Sequence, residues 1–425
     1  MSNTTRTSSP KSKHRIDFKR RSTWNRRLLT FLAGQLFSLT GTYMQTVALG
    51  WLVYRLTGSA LLLGVLAFLS QLPVLILGPI AGVQADRHNR RHILLATQST
   101  ALIVSLVMAG LIVAGHLEMW HLYALSALQG CANAFDFPAR QVFVAEIAGK
   151  RLLPTAIPLN SSITNAARAV GPALAGILIV TGGEAWCFFA NALSYLLVVV
   201  ALLAIRSEPG SAKSASTSAF ENIKDGFGFL WSMGSARASL FLLALVSLMG
   251  IRYDVLMPVF ASQILHGGPG SYGILMAMSG AGAIGGSLIL ALSKSFKTGL
   301  GRWIGLSTAS LGAALILFSV SRSLWLSAGL LIAAGFSMVG QLDATNVLIQ
   351  KMSPDNLRGR VMALWTMALT GLAPFGSLLT GWLGEHFGAP RAVAAGGAAC
   401  VMGAIVFGFC LPTLRFQSGT RFDVK

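Results

Sequence analysis

Charge is what this chain has least of. Only 11% of its 425 residues are charged, against 54% hydrophobic, whereas soluble domains carry about 25% charged residues. That shortage excludes an ordinary soluble enzyme or binding domain. Cysteine is scarce too: Cys131, Cys187, Cys400 and Cys410 all stand in apolar stretches. This excludes a disulfide framework or thiolate metal cluster and suits small core residues. No Gly-x4-Gly-Lys phosphate loop occurs, so any ATP would have to act through a separate subunit. No His/Glu metal spacing occurs either, and the seven histidines stand mostly at ends and loops. Neither a metal nor a cofactor is expected, and a membrane enzyme is disfavoured.

What the chain does have is apolar runs of about 20 residues, each long enough to cross a bilayer as a helix. Twelve spans are expected, near 28–54, 60–85, 92–114, 119–144, 155–181, 185–205, 238–265, 271–293, 301–320, 323–350, 359–386 and 390–412. The expected organisation is an all-α membrane protein. It comprises a basic tail (1–27), a six-helix half (28–205), a linker (206–237), a second six-helix half (238–412) and a short tail (413–425). The linker opens with "RSEPGSAKSASTSAF", a Ser/Ala/Gly segment with the composition of a flexible spacer.

The net charge is +19, and its placement explains it. Nine Lys and Arg lie in the tail up to Arg27, and further groups stand at Arg87 to Arg91, Arg140 to Arg151, Arg206 to Arg237, Lys294 to Arg302, Lys351 to Arg360 and Arg415 to Lys425. The alternate connections carry only Arg55, Arg322 and Arg391, or nothing basic. This is the positive-inside pattern, which puts both termini in the cytoplasm and the chain in the cytoplasmic membrane. Nucleic acid is not an expected partner, because no basic segment is interleaved with stacking aromatics.

The two halves resemble each other. A shift of 205 residues places Leu152 on Leu357, Leu159 on Leu364, Gly171 on Gly376, Leu174 on Leu379, Gly176 on Gly381, Leu178 on Leu383 and Gly183 on Gly388. Two parallel six-helix repeats, with a site between them near the midplane, make a transporter architecture for a small molecule. A channel or receptor has no need of it.

Between the second and third spans the chain reads "GVQADRHNRRH", Gly82 to His92. Gly82, Asp86, Arg87, Arg90 and Arg91 resemble the signature of the major facilitator superfamily between helices 2 and 3. "AVGPALAGIL" resembles the helix 5 signature of its antiporter branch, through Gly171, Pro172, Ala175 and Gly176. "SALQGCANA" is similar to the helix 4 signature, except that Ser126 stands where that signature has arginine. The string Gly34 to Leu52, with "PAR" at 138–140, resembles an exporter branch that includes the enterobactin exporter and other siderophore and macrolide efflux proteins.

The resemblance implies the major facilitator fold: twelve transmembrane helices in two pseudo-symmetric halves, working as a monomer. It also implies secondary active export by alternating access, with proton antiport as the expected coupling. A siderophore is the first expectation for the substrate. Multidrug or macrolide efflux is the alternative, and lipid translocation a third.

The polar bend reads as a conformational latch. Asp86 would dock on the amide end of helix 11 near Gly359 to Val361, and Arg87 or Arg90 would bond Asp136 near the inner end of helix 4. Each contact would contribute about 0.3–2 kcal/mol, enough to bias two nearly balanced states. The blander reading is that these charges only fix topology. Gly171-Pro172 predicts close packing and a bend or weak point in helix 5.

Ionisable and amide side chains inside spans are the candidate cavity lining, because they are costly in lipid. They are Gln35, Thr42 and Gln45 on helix 1, with Tyr43 close by, then Asn160, Thr164 and Arg168 on helix 5, Arg252 and Asp254 on helix 7, and Asp343 and Asn346 on helix 10. Arg252 and Asp254 are two apart, so each is expected to face a different neighbour. Asp254 is the first candidate proton carrier and Asp343 the second. Arg168 and Arg252 suit an anionic or multiply hydroxylated substrate, or serve to hold a carboxylate's charge in check. The alternative for the lone hydroxyls is helix–helix hydrogen bonding.

Overall fold

The computed structural model describes residues 26–204, 227–229, 231, 233–292, 299–354 and 357–419. Most of the expected basic tail, most of the linker and residues 420–425 lie outside them. Among the described residues the chain is helical throughout its spans. The order is α1 (Arg26–Thr57), α2 (Ala60–Arg87) and α3 (Arg90–Ala114). A long rod, Met119–Gly182, then breaks at Gly149 (φ 62°, ψ 172°) into α4 (119–148) and α5 (150–182). α6 (Glu184–Ala204) completes the first half. The second half has α7 (Gly234–Ile264), α8 (Pro269–Leu292), α9 (Leu300–Val320), α10 (Leu324–Met352), α11 (Arg358–Phe387) and α12 (Ala389–Gly419).

Ten of these helices are long and apolar enough to cross a membrane on composition alone; α1 and α4 are not among them. The reason lies in what they carry: Gln35, Ser38, Thr42 and Gln45 on α1, and Gln129, Asn133, Asp136 and Arg140 on α4. These groups are turned inward, with Gln35, Ser38, Gln45 and Asp136 all buried. Packing inside the bundle is how such side chains are kept out of lipid.

The 205-residue repeat is visible as geometry. Gly183 and Gly388, with φ of 85° and 86°, end α5 and α11 in the same left-handed turn, which glycine adopts without strain. Gly171 and Gly376 sit against the backbones of α1 and α7: an added Cβ would lie 2.7 Å from Thr40 O and 2.6 Å from Leu248 O. Gly176 crosses Gly273 on α8, and Gly381 crosses Gly64 on α2, with a Cβ 3.2 and 2.8 Å from the facing Cα. Two equivalent crossings, α5 with α8 and α2 with α11, therefore join the halves.

One end of the bundle, here called the basic face, carries the Arg87–Arg91 bend and the starts of α1, α7 and α11. At the opposite face one apolar cluster spans both halves, packing Trp51, Leu52 and Ile179 with Leu256, Phe260 and Tyr272. The rings of Trp51 and Tyr272 stack 6.4 Å apart across the junction. Toward the basic face the clusters separate. Leu28, Phe31, Phe143 and Leu202 pack within the first half, and Ala236, Ile349, Val361 and Leu364 within the second. Along α2 and α11, contact runs from Ser59 and Glu385 to Leu75 and Gly371, beyond which Gly78, Gly82 and Gly359 face open space. The halves are closed at the opposite face and open at the basic face.

The proline of helix 5 and the helix distortions are found at different places. α5 keeps helical φ/ψ through Gly171-Pro172; the non-helical residue of the rod, Gly149, precedes it. The carbonyl that Pro172 leaves without a helix donor is that of Arg168, and it lies against Gly280 of α8, where a Cβ would be 2.6 Å away. Neighbouring packing thus absorbs the proline. The distortions fall instead in the second half. α7 has π turns at Val246–Gly250 and Phe260–Ile264 around a 3-10 turn, Arg252–Leu256, and α11 has a π turn at Met367–Gly371. In α7 the cause is Pro258: it has no N–H for Asp254 O, which bonds Met257 N instead and tightens the turn. In α11 the π turn is followed by Pro374.

Candidate functional site: a central cavity

Between the halves lies a cavity with two lobes of about 370 and 390 Å3. They meet at Thr46, Gln71, Val74, Arg252, Asp254 and Met276, which line both. The first lobe is the more polar, with Thr42, Gln45, Ser70, Ser126, Gln129, Asn133, Tyr195, Tyr272 and Ser377 on its wall. The second is walled by Tyr43, Arg168, Tyr253 and Ser279, with apolar Met338, Leu342 and Leu369.

Three charged side chains face this space. Arg168 Nε donates to Tyr43 Oη at 3.5 Å, and its guanidinium lies 5.9 Å from the centre of the same ring. Arg252 Nη1 donates to Gln71 Oε1 at 3.3 Å, while its buried Nε has no partner among the described residues. Asp254 Oδ1 accepts only from the adjacent Val255 N, at 3.0 Å. Asp254 forms no ion pair with either arginine. Ser126 Oγ and Gln129 Oε1 are likewise buried without a partner among the described residues. The wall thus offers two cations, one carboxylate and several unused polar atoms.

Arg252 and Asp254 were expected to face different neighbours. They face the same cavity, because the 3-10 turn that carries them has three residues per turn and rotates both side chains inward.

The remaining candidates divide. Thr42 and Gln45 line the first lobe but are already bonded. Thr42 Oγ1 lies 3.0 Å from Tyr195 Oη and donates to Ser38 O, and Gln45 Oε1 accepts from Ser105 Oγ at 2.7 Å and from Asn191 Nδ2. Gln35 is not in the wall; it accepts from Arg140 Nη1 at 3.0 Å. Asn160 and Thr164 are not in the wall of either lobe, and Thr164 Oγ1 bonds its own helix at Asn160 O. Asp343 and Asn346 are also outside the wall, and Asn346 Oδ1 accepts from Gln350 Nε2 at 2.7 Å. The helix 5 motif serves contact: Gly171 on α1, Gly176 on Gly273, with Ala175 and Pro172 buried between them.

Gln71, which no periodicity singled out, holds Arg252 and lines both lobes. Its signal was present as a lone amide in the middle of the most apolar span, 60–85.

With the basic face open, Asp136 is bonded to neither Arg87 nor Arg90 among the described residues. Asp136 pairs with Arg140 one turn on and accepts from Thr97 Oγ1 at 3.2 Å and Gln98 Nε2 at 2.7 Å. A carboxylate so surrounded is satisfied locally. Arg91 bonds the last carbonyls of α6, Leu202 O at 2.7 Å and Leu203 O at 3.0 Å, where a helix end favours a cation. Arg87 is exposed. The Asp86 side chain lies outside the described residues.

Residues 26–419 match the transmembrane secretion effector family. The chain is 24% identical to the staphyloferrin A transporter of Staphylococcus aureus, over 91% of this chain and 97% of that one. It is 27% identical to the multidrug efflux pump Tap of Mycolicibacterium fortuitum, over 85% and 90% of the two chains. To macrolide efflux protein A of Streptococcus pyogenes it is 23% identical, over 86% and 91%. In fold it resembles the nucleoside transporter NupG, with a TM-score of 0.70, 14% identity and 91% and 99% coverage. It also resembles a bacterial homologue of the human lysosomal transporter Spinster, solved inward-facing and unoccupied, with a TM-score of 0.68, 14% identity and 91% and 96% coverage. With two glycine-crossed six-helix halves around a charged cavity, the chain belongs to the transmembrane secretion effector family of the major facilitator superfamily, and is a multi-pass membrane transporter of small molecules and not an enzyme.

Proposed function

We propose that this transporter exports an anionic chelator of the siderophore class from the cytoplasm, in exchange for protons. The observation that carries the reading is the charge of the cavity: Arg168 and Arg252 face it with Asp254 as the one acid, and neither arginine is neutralised by an ion pair. Guanidinium groups with free donors suit carboxylate or catecholate oxygens, whereas a cationic drug would meet net repulsion. The likeness to a transporter named for staphyloferrin A supports the same reading. The apolar second lobe, with Met276 and Met338 on its wall, is what favours the alternative, efflux of hydrophobic drugs or macrolides.

Asp254 is the proton carrier of this scheme, since it lines both lobes and Asp343 lines neither. The basic face is the cytoplasmic one, by the distribution of Lys and Arg, so the structure corresponds to the inward-open state. The Asp86 latch then belongs to the other state. Gly82 and Gly359, which face open space here, come together when the basic face closes, and Asp86 docks on the amide end of α11. The unit of function is the monomer, built from the halves 28–205 and 238–412.

The test is mass spectrometry of small molecules in medium and cells from iron-starved wild-type and deletion strains. A chelator lost from the medium and retained in the deletion strain supports siderophore export; unchanged pools on both sides favour drug efflux. Coupling is tested separately in proteoliposomes. Asp254→Asn is expected to abolish substrate-driven proton uptake while substrate still binds, and full uptake would remove Asp254 as the carrier.

A further inference from the structure

The two crossings that close the opposite face are equivalent under the repeat, yet different chemistry closes them. At the α2–α11 crossing, Glu385 stands one turn beyond Gly381. Its Oε2 accepts from Ser59 Oγ at 2.9 Å and from Leu61 N at 3.1 Å. Ser59 is the N-cap of α2, and the same Oγ accepts from Leu62 N at 3.3 Å. A carboxylate from the second half is thereby bonded to the free amides and positive dipole end of a helix in the first.

At the α5–α8 crossing the counterparts are apolar. The 205-residue shift carries Glu385 onto Val180. Pairing the two glycine crossings, Gly64 with Gly381 and Gly273 with Gly176, carries Leu61 onto Gly270. Val180 does face Gly270: a Cβ there would meet Val180 Cγ2 at 3.6 Å. Thr181 beside it spends its hydroxyl on its own helix, at Ile177 O and Leu178 O. One junction is thus polar and latched, and the other is a plain van der Waals contact.

We propose that Glu385 is a positioning residue of the transport cycle, a single carboxylate latch that holds the opposite face shut while the cavity is open to the basic face. Its bonds are intact in the closed junction and must break before that face opens. Glu385 is exposed, so its hydrogen bonds compete with water and hold the gate without freezing it. α2 keeps its own Ser59 cap when the gate opens, so the carboxylate serves the junction and not the helix. It is also the reciprocal of the latch assigned above to Asp86: each crossing partner, α2 and α11, offers an acid at its C-terminal end to the N-terminus of the other, on opposite faces. The inference rests on alternating access and is independent of the substrate.

The experiment measures distances between spin labels at His116→Cys and Arg322→Cys, two exposed positions at the opposite face, one in each half. The background chain has its native cysteines replaced and sits in lipid nanodiscs. Glu385→Ala is expected to raise the population with separated ends at least threefold over wild type. Val180→Glu places a second acid beside the N-terminus of α8, against Gly270, and is expected to lower that population; the double variant returns toward wild type. Val180 is 64% exposed, so that substitution does not disturb the core. If wild type populates both states and Glu385→Ala leaves their ratio unchanged, Glu385 is not a latch, while alternating access stands. If wild type shows one distance that neither pH nor any variant moves, both alternating access and the latch are overturned.

Discussion

The two halves are built on one repeat, and around the cavity they behave differently. In the first half α1 and α5 keep helical backbones, even through Pro172, and two buried polar clusters are bonded internally: Gln45 with Ser105 and Asn191, Asp136 with Thr97, Gln98 and Arg140. In the second half α7 and α11 are interrupted by π and 3-10 turns, and the charges those turns carry, Arg252 and Asp254, point into the cavity. Even the link between the two distortions is a single bond from Ser247 Oγ to Leu369 O, at 2.6 Å. A satisfied polar network rigidifies, whereas π turns concentrate where a helix must rearrange or bind. The first half supplies the bonded frame together with Arg168 and Gln71 of the wall, and the second supplies the distorted part of the wall, with Arg252 and Asp254.

That contrast can be broken by substitution, and the largest effect is expected in the frame. Asp136→Asn leaves Arg140 without its ionic partner in a buried network, and removing one member of such a pair costs about 3–5 kcal/mol. Thermal unfolding in detergent should show a clear loss of stability. Wild-type stability would mean that the first half does not depend on this network.

The wall should respond in binding instead of stability. Arg252→Gln removes a charge-assisted contact worth about 1.5–3 kcal/mol, or roughly a tenfold to hundredfold loss of affinity for an anionic chelator. Arg168→Gln should cost less, because Tyr43 already shares that guanidinium. Calorimetry on the purified protein measures both. Equal affinities in wild type and Arg252→Gln would point to a substrate recognised by the apolar lobe.

The smallest effect is expected from Ser247→Ala, which removes one neutral hydrogen bond worth about 0.5–1.5 kcal/mol. Faster amide exchange confined to 246–250 and 367–371 is the outcome consistent with a deformable wall; exchange spread over both halves would contradict it.

Some of this was legible before any coordinates. The expected spans agree with the helices to within a few residues at most ends, because twenty apolar residues in lipid have few alternatives to a helix. The repeat was legible because glycines at helix crossings tolerate no other residue. In Gly183 and Gly388, Gly176 and Gly381, the 205-residue register is the same thing as the packing. Arg168, Arg252 and Asp254 were legible as cavity groups because charge in a span has to be accommodated somewhere.

What the sequence could not assign is which polar groups would spend their bonds on each other. Gln35, Asn160, Thr164, Asp343 and Asn346 have the same chemistry as Gln45 or Gln71, and only the rotation and neighbours of each helix decide which face the cavity. The sequence by itself determined a twelve-span, two-half membrane transporter with a few costly charges, because hydropathy and small-residue crossings are local properties of the chain. Tertiary structure alone decided that Arg252 reaches Gln71 of α2, that Asp136 is also bonded by Thr97 and Gln98 of α3, and that Glu385 meets the start of α2. Each of these depends on groups from separate helices arriving together, and no single stretch of sequence contains them.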